Sequence, residues 1–310
     1  MGRGGTLRRV DGAALRTNVL GRERTFCCHR ATFSGAHPPN SLAAVAECVG
    51  AGVPRLEVDV RFLRDDAMLV FHDGMLDGET TGSGLVDALD APGARQVRLR
   101  EHPETGLCFL EDVVVAMAGG PTLLQVDLKL MRPISPARVR LLAEALAPLE
   151  GRLVVGSQAH WNLRPLATAG LPVALDPTLH LHRNERRRPG DGLTPARKGI
   201  HGLWDDAPLA QIRHATAAEY LAARVEDLAG LAPAAVEWMV DIETLRYASA
   251  LGVGLGEVLA ERGIALAAWT MRDEGPERSR MLLQELFEIG ATTIITDYGR
   301  MLAGYVHGAG

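Results

Sequence analysis

The chain has 310 residues, of which 47% are hydrophobic and 23% are charged, a composition typical of globular proteins. Its formal net charge of -5 argues against general nucleic-acid binding, which usually requires a basic surface. No run approaches the roughly 20 apolar residues of a transmembrane segment, and the basic N-terminus lacks the apolar core of a secretory signal. The four cysteines have neither metal-type nor disulfide-type spacing, which predicts reduced thiols and a cytoplasmic protein.

Short β-type runs alternate with Ala/Leu-rich helical stretches along the chain. Helix boundaries are marked by Asn40 or Ser41 and by Ser135 as N-caps, and by Gly263 and Gly290 as stops. The strand candidates are residues 24–28, 55–60, 122–128, 152–157, 172–176, 236–241, 264–270 and 292–297. Eight strands that alternate with helices predict an α/β fold of the TIM type, a closed (β/α)8 barrel. An open doubly wound sheet is the alternative, but its usual G-x-G-x-x-G after the first strand is absent.

The stretch "EVDVRFLRDDAMLVFHD", residues 57–73, breaks this alternation because it leaves no room for a helix. A polar turn at Asp65-Asp66 between two β-type runs predicts a β-hairpin arm that follows the second barrel strand. Folding the chain back about that turn sets His72 across from Glu57 and Asp59. The spacing therefore predicts that two carboxylates and an imidazole meet in one place.

A single barrel domain is expected over residues 25–310, after an N-terminal extension of residues 1–24. Two long connections interrupt it. Residues 74–107 are Gly-rich and are predicted to cover the barrel mouth, and residues 177–233 follow the fifth strand. Connections of this length usually carry function. The second one contains the arginines Arg183, Arg186, Arg187 and Arg188, which either meet an anionic group of a ligand or form a solvated loop.

Polar residues stand where the predicted strands end, which in a barrel of this type is where reacting groups are found. They are His29, Arg30, Glu57, Asp59, Asp127, Lys129, Trp269 and Asp297. The two-residue period of a strand puts Glu57 and Asp59 on one face, and likewise Asp127 and Lys129. Charged pairs inside apolar strands are unfavourable unless something neutralises them, and a divalent cation would do so. An all-carboxylate set favours Mg²⁺ or Ca²⁺ over Zn²⁺.

Two histidines, a carboxylate cluster, an arginine and a lysine are the groups that phosphodiester cleavage requires. The cations neutralise the phosphate, and two imidazoles can act as the acid and the base. Alternatives remain open for each element taken alone. Glu57 and Asp59 could be ordinary polar positions, Asp127 and Lys129 a salt bridge, His72 the start of a turn, and Trp269 a core aromatic.

The same residues lie in segments that resemble the glycerophosphodiester phosphodiesterase family. The resemblance runs in the family's order through "CHRATFSGAHPPNSLAAV", "EVDVRFLRDDAMLVFHDGMLDGETTGSG", "CFLEDVV", "LLQVDLKL", "LAAWTMRDE" and "GATTIITD". It implies a TIM-type barrel of the phosphatidylinositol phospholipase C-like superfamily. It also implies that His29 and His72 are the acid–base pair, and that the substrate and phosphate contacts include Arg30 and Lys129, with Trp269 counted among them. The implied metal ligands are Glu57, Asp59 and Asp127.

Three positions depart from the family pattern. Ala31 replaces a glycine, Pro39 replaces a glutamate, and Asp127 replaces a glutamate, which resembles the "DLK" of sphingomyelinase D-type enzymes. The expected function is metal-dependent hydrolysis of glycerophosphodiesters to glycerol 3-phosphate and an alcohol. The alternatives are a lysophospholipase D- or sphingomyelinase D-like phosphodiesterase and a catalytically silent anion-binding barrel. The expected partner is a small phosphodiester or a lysophospholipid, with no nucleic acid; the sequence does not indicate an oligomeric state.

Overall fold

The fold is a closed barrel of parallel strands, seen in a computed structural model that describes residues 11–181, 197–213 and 216–307. In this part of the chain, eight parallel strands pair in a ring in the order β2-β3-β6-β7-β8-β12-β13-β14, and β14 and β3 both pair with β2. The strands of the chain are β1 (Arg16–Val19), β2 (Arg22–Cys28), β3 (Arg55–Phe62), β4 (Met68–Val70), β5 (Cys108–Phe109), β6 (Leu123–Leu128), β7 (Leu153–Ser157), β8 (Val173–Leu175), β9 (Leu179–His180), β10 (Arg197–Lys198), β11 (Trp204–Asp205), β12 (Ala235–Asp241), β13 (Ala265–Met271) and β14 (Thr293–Thr296).

Helices cover the outside of the ring. They are α1 (Leu42–Ala51), α2 (Ala91–Ala94), α3 (Leu110–Ala116), α4 (Pro136–Leu146), α5 (His160–Thr168), α6 (Ala217–Leu231), α7 (Ile242–Ala250), α8 (Leu255–Glu261), α9 (Pro276–Ile289) and α10 (Gly299–His307). In the described residues, no helix combines the length and the apolar character that crossing a bilayer requires.

The predicted fold class is confirmed, and each of the eight predicted strands corresponds to one barrel strand. The predicted helix boundaries also hold. Ser41 caps α1 by accepting a hydrogen bond from the backbone N–H of Ala44, and Ser135 caps α4 in the same way. Gly290 ends α9 in the left-handed region, where a residue without a Cβ is favoured.

The inside of the barrel is built in layers, because alternate residues of every strand point inward. A small apolar layer fills the middle, with Cys27, Val154, Ala174, Met239, Ala267 and Ile295. Below it, Arg55 Nη2 lies 2.5 Å from Glu237 Oε2 and donates to Gln125 Oε1 at 2.6 Å, so this buried ion pair links three strands. Above the apolar layer, the next inward positions form the barrel mouth.

The hairpin arm is present where the sequence predicts it. β4 runs antiparallel to β3, with Val60 paired to Val70, and the Phe71 N–H donates to the Asp59 carbonyl oxygen at 3.0 Å. Residues 74–107 return over this arm and pack on a separate small core of Leu63, Leu69, Phe71, Leu76, Val86, Ala94 and Phe109. The arm is therefore supported from both sides and holds His72 beside the second strand.

The remaining segments lie at the two ends of the barrel. Residues 12–15 form a 3₁₀ helix against the turn that precedes β3. A Cβ on Gly12 would lie 2.4 Å from the Ala51 carbonyl oxygen, so only glycine permits this approach. The long connection after β8 contains the three-stranded sheet β9–β11 and then α6. Its arginines Arg183 and Arg186 to Arg188 lie outside the described residues, as does the start of the predicted 1–24 extension.

Candidate active site

The predicted site residues meet at the C-terminal ends of the barrel strands. Each occupies an inward position at a strand end or on the hairpin arm: His29 after β2, Glu57 and Asp59 on β3, His72 after β4, Asp127 and Lys129 on and after β6, and Trp269 on β13. Arg30 follows His29 in the same turn. The structure thus brings together residues that are up to 240 positions apart in the sequence.

The three predicted metal ligands form one compact group. Each of Glu57, Asp59 and Asp127 offers a carboxylate oxygen, and these atoms all lie within 4.8 Å of one another. The parallel register pairs Asp59 with Asp127 on neighbouring strands, and Glu57 and Asp59 are almost fully buried. Burial and the charge of Asp59 raise the pKa of Glu57 to about 7.

Two basic side chains balance part of this charge. Lys129 Nζ lies 2.5 Å from Asp127 and 3.1 Å from Asp59, so the salt bridge that the sequence allowed is formed. Burial opposes the ionisation of Asp59, but the positive charges of Lys129, His72 and Arg30 outweigh it and hold the pKa of Asp59 below its usual range. Burial lowers the pKa of Lys129, but the charges of Asp127 and Asp59 outweigh burial, so this pKa is raised.

The donor set fits a hard divalent cation. Three close carboxylates supply only oxygen ligands, which suits Mg²⁺ or Ca²⁺. Lys129 and Arg30 lie nearest to the two aspartates, whereas Glu57 forms no ion pair with a basic side chain among the described residues. Glu57, Asp59 and Asp127 could therefore hold such an ion.

Each of the two predicted catalytic histidines is held by an aspartate. His29 Nδ1 lies 2.8 Å from Asp297 Oδ1, and His72 Nδ1 lies 2.8 Å from Asp73 Oδ1. Because a carboxylate can only accept, each Nδ1 carries the proton, and each Nε2 is the nitrogen that can exchange a proton with a ligand. Burial lowers the pKa of His29, but the hydrogen bond to Asp297 and the charge of Glu57 outweigh it, so this pKa is raised.

A left-handed turn after β2 positions the first histidine and the arginine. Arg30 has φ 49° and Ala31 has φ 56°, a region that residues with a Cβ adopt at some cost. The turn aims the Arg30 N–H at Glu57 Oε2, at 2.7 Å. Ala31 thus adopts a left-handed conformation at the position where the family pattern has a glycine.

The Arg30 guanidinium retains donors for an anion. Its Nε lies 3.4 Å from Asp59 Oδ2, without the alignment of a hydrogen bond. Within the described residues, this side chain forms no hydrogen bond, and about a quarter of its surface is exposed. A guanidinium in this state can donate two parallel hydrogen bonds to a phosphate.

Asn40 is a site residue that the sequence alone identifies only as a possible helix cap. Its Nδ2 donates to Asp59 Oδ2 at 2.8 Å, and its Oδ1 accepts from the Asp59 N–H at 3.2 Å. Asn40 has φ 58°, a conformation that asparagine tolerates better than most residues. An asparagine directly before a strong N-cap such as Ser41 was the available signal. The sequence places Asp297 at a strand end but does not predict its bond to His29.

Trp269, on β13, lies at the rim of the barrel mouth, across the ring from β6. Its Nε1 donates to the Met239 carbonyl oxygen at 3.1 Å, and its ring meets the His180 ring edge-on at 5.6 Å. The indole is only partly buried, so part of the ring faces the mouth. This placement is compatible with a substrate contact and with a rim aromatic.

A cavity of about 360 Å³ adjoins the site beneath residues 74–107. Its walls include Arg30, Asn40, Phe71, Glu79 and Leu107. Burial and the charge of Asp73 raise the pKa of Glu79. The cavity gives the site a mixed apolar and charged extension on the side of the hairpin arm.

The fold and the site together define a (β/α)8 barrel whose mouth combines two carboxylate-held imidazoles, three clustered carboxylates and two cations. The model of the glycerophosphoryl diester phosphodiesterase family matches residues 29–300. The chain therefore belongs to that family.

Individual relatives are distant. "Probable glycerophosphodiester phosphodiesterase 2" of Mycobacterium tuberculosis is 30% identical over 149 residues, which are 47% of this chain and 53% of that protein. The chain spans about half the length, or less, of the curated relatives it matches. An Oleispira antarctica phosphodiesterase solved in complex with the product sn-glycerol-3-phosphate has a TM-score of 0.59 at 15% identity, over 96% of this chain and 99% of that one. A putative glycerophosphoryl diester phosphodiesterase from Agrobacterium tumefaciens has a TM-score of 0.64 at 14% identity, over 92% and 98%. At these identities, the structural likeness supports the fold alone.

Proposed function

We propose that the chain is a metal-dependent phosphodiesterase that hydrolyses glycerophosphodiesters to glycerol 3-phosphate and an alcohol. The observation that carries the proposal is the pairing of two aspartate-held imidazoles with three carboxylates whose oxygens lie within 4.8 Å. Family membership supplies the substrate class. Glycerol 3-phosphate is the proposed product because it is the part that all glycerophosphodiesters share.

The proposed roles follow from position and charge. One of His29 and His72 removes a proton from the attacking water, and the other donates a proton to the leaving alkoxide, so that a P–O bond to the water oxygen forms as the P–O bond to the alcohol breaks. Arg30 and Lys129 bind the phosphate oxygens. Glu57, Asp59 and Asp127 would hold Mg²⁺ or Ca²⁺, which when bound stabilises negative charge on the phosphate.

A second candidate function is a lysophospholipase D- or sphingomyelinase D-like reaction at the same site. Asp127 in the "DLK" segment favours it, because this segment resembles the "DLK" of sphingomyelinase D-type enzymes. A silent anion-binding barrel is disfavoured, because a binding site does not require two oriented imidazoles. The four cysteines are free and buried, which is compatible with the predicted cytoplasmic location.

The test is turnover against a panel of glycerophosphodiesters and lysophospholipids. The enzyme is stripped with a chelator, dialysed, and assayed with Mg²⁺, with Ca²⁺ and without metal. We expect activity on glycerophosphodiesters that is lost on chelation and restored by one of the two ions. Full activity after exhaustive chelation would exclude the metal mechanism, and activity on lysophospholipids alone would select the second candidate function.

A further inference from the structure

The half of the barrel mouth formed by β7, β8 and β12 carries buried and half-buried polar groups that the proposed reaction does not use. Gln158 and Asp176 directly follow β7 and β8, and Asp241 ends β12. Each stands two residues beyond an inward position, which is Gly156, Ala174 or Met239. In the ring of eight strands, β8 is four strands away from β2. These groups therefore face His29 across the mouth.

Asp241 is accounted for by the fold. Its Oδ1 accepts from the Thr244 N–H at 3.0 Å and caps α7, and its Oδ2 lies 3.2 Å from His180 Nδ1. Both carboxylate oxygens thus have partners, and the residue joins a strand, a helix and the β9 segment. It requires no ligand to explain it.

Asp176 has no such explanation. Only 6% of its surface is exposed, and its Oδ2 accepts from Gln158 Nε2 at 3.1 Å. Its Oδ1 is buried and has no hydrogen-bond partner among the residues that the structure describes. A buried carboxylate oxygen without a donor is unfavourable and needs a reason, of which a missing ligand group is one.

The surroundings of Asp176 connect it to the phosphate end of the site. Burial raises the pKa of Asp176 to about 7, and the charges of His180, Asp127 and Lys129 all act on it. Lys129 follows β6, and Asp176 follows β8, two strands further round the ring. A substituent on a phosphate bound by Lys129 would therefore have Asp176 on that side of the mouth. The carboxylates of Asp176 and Asp241 would repel a second phosphate there, whereas a neutral hydroxyl would be accepted.

We propose that Asp176 Oδ1 accepts a hydrogen bond from a hydroxyl of the glycerol group of the substrate, which makes Asp176 a specificity-determining residue. The inference rests on the proposed function, because glycerol is the part that all glycerophosphodiesters share. A carboxylate near the C-terminal end of a strand that binds a sugar hydroxyl is also the arrangement of dinucleotide-binding α/β folds. Gln158 positions the carboxylate by holding its other oxygen.

The experiment compares two substrates that share a leaving group, glycerol 4-nitrophenyl phosphate and propyl 4-nitrophenyl phosphate. We expect the wild type to prefer the glycerol ester, and Asp176→Ala to reduce the ratio of the two kcat/KM values by about 10- to 100-fold. Asp227→Asn, an exposed charge on α6, is the matched control and should leave the ratio unchanged. Asp176→Asn keeps the shape of the side chain and should lower the ratio by about threefold or more. This variant therefore tests the inference if the alanine variant does not fold.

An unchanged ratio in a folded Asp176 variant would overturn the inference and leave the proposed function standing. If the wild type hydrolyses neither ester, the proposed function fails, and binding decides the inference separately. Calorimetry with glycerol 3-phosphate and propyl phosphate should then show a preference for the first that the Asp176 variants lose. Equal affinity of the wild type for both compounds would reject a glycerol contact.

Discussion

Removing the charge of Asp297 is a direct probe of the predicted acid–base pair. Burial lowers the pKa of His29, and the hydrogen bond to Asp297 is the largest of the effects that outweigh it. In Asp297→Asn that bond loses its charged acceptor. The pKa of His29 should therefore fall, because the protonated imidazole is no longer stabilised by an adjacent carboxylate.

The structure sets the size of the effect. Hydrogen bonds to charged groups contribute about 1.5–3 kcal/mol, and the 2.8 Å separation is short. The Asp297 side chain is 40% exposed, so solvent screens it and the lower end of the range applies. Since about 1.4 kcal/mol corresponds to one pKa unit, we expect a decrease of about one unit.

The assay is kcat/KM as a function of pH for the wild type and for Asp297→Asn, with Asp227→Asn as the charge-matched control. The limb that reports His29 should move to lower pH by about one unit. The sign holds for either role, because a lower pKa moves the acidic limb of a base and the basic limb of an acid in the same direction. If neither limb moves, Asp297 does not set the pKa of His29. The assignment of His29 as an acid–base group then loses its main support.

Three further predictions address catalysis, the metal site and stability. His29→Ala and His72→Ala should each lower turnover by about 10²- to 10⁴-fold with an unchanged melting temperature, and near-wild-type rates in either variant would refute the assignment. Asn40→Ala removes two hydrogen bonds from Asp59, so it should weaken metal affinity or activity by about 10- to 100-fold. A metal titration measures this, and an unchanged titration would mean that Asp59 is held without those bonds. Glu237→Gln should reduce the free energy of unfolding by about 3 kcal/mol, because it leaves the buried Arg55 charge uncompensated. Glu23→Gln, at an exposed ion pair, should change the free energy of unfolding little in the same denaturation assay.

The local pattern of the sequence determined the barrel fold and which residues lie at the barrel mouth. Eight β-type runs separated by capped helices allow few arrangements other than a closed parallel sheet, since each strand must bury both faces. The two-residue period then puts Glu57, Asp59 and Asp127 at inward positions near strand ends. The short polar turn at Asp65-Asp66 was enough to return His72 to the same place, because hairpin pairing depends on neighbours in the sequence.

Tertiary structure alone decided which side chains are partners. His29 meets Asp297 across 268 positions only because β14 pairs with β2 to close the ring. Asn40 reaches Asp59 because its backbone adopts a left-handed conformation in an irregular loop, which no periodicity encodes. Asp176 reads in the sequence as an ordinary strand-end residue. Its Oδ1 is buried and has no hydrogen-bond partner among the described residues, and burial of that kind depends on the strands around the ring.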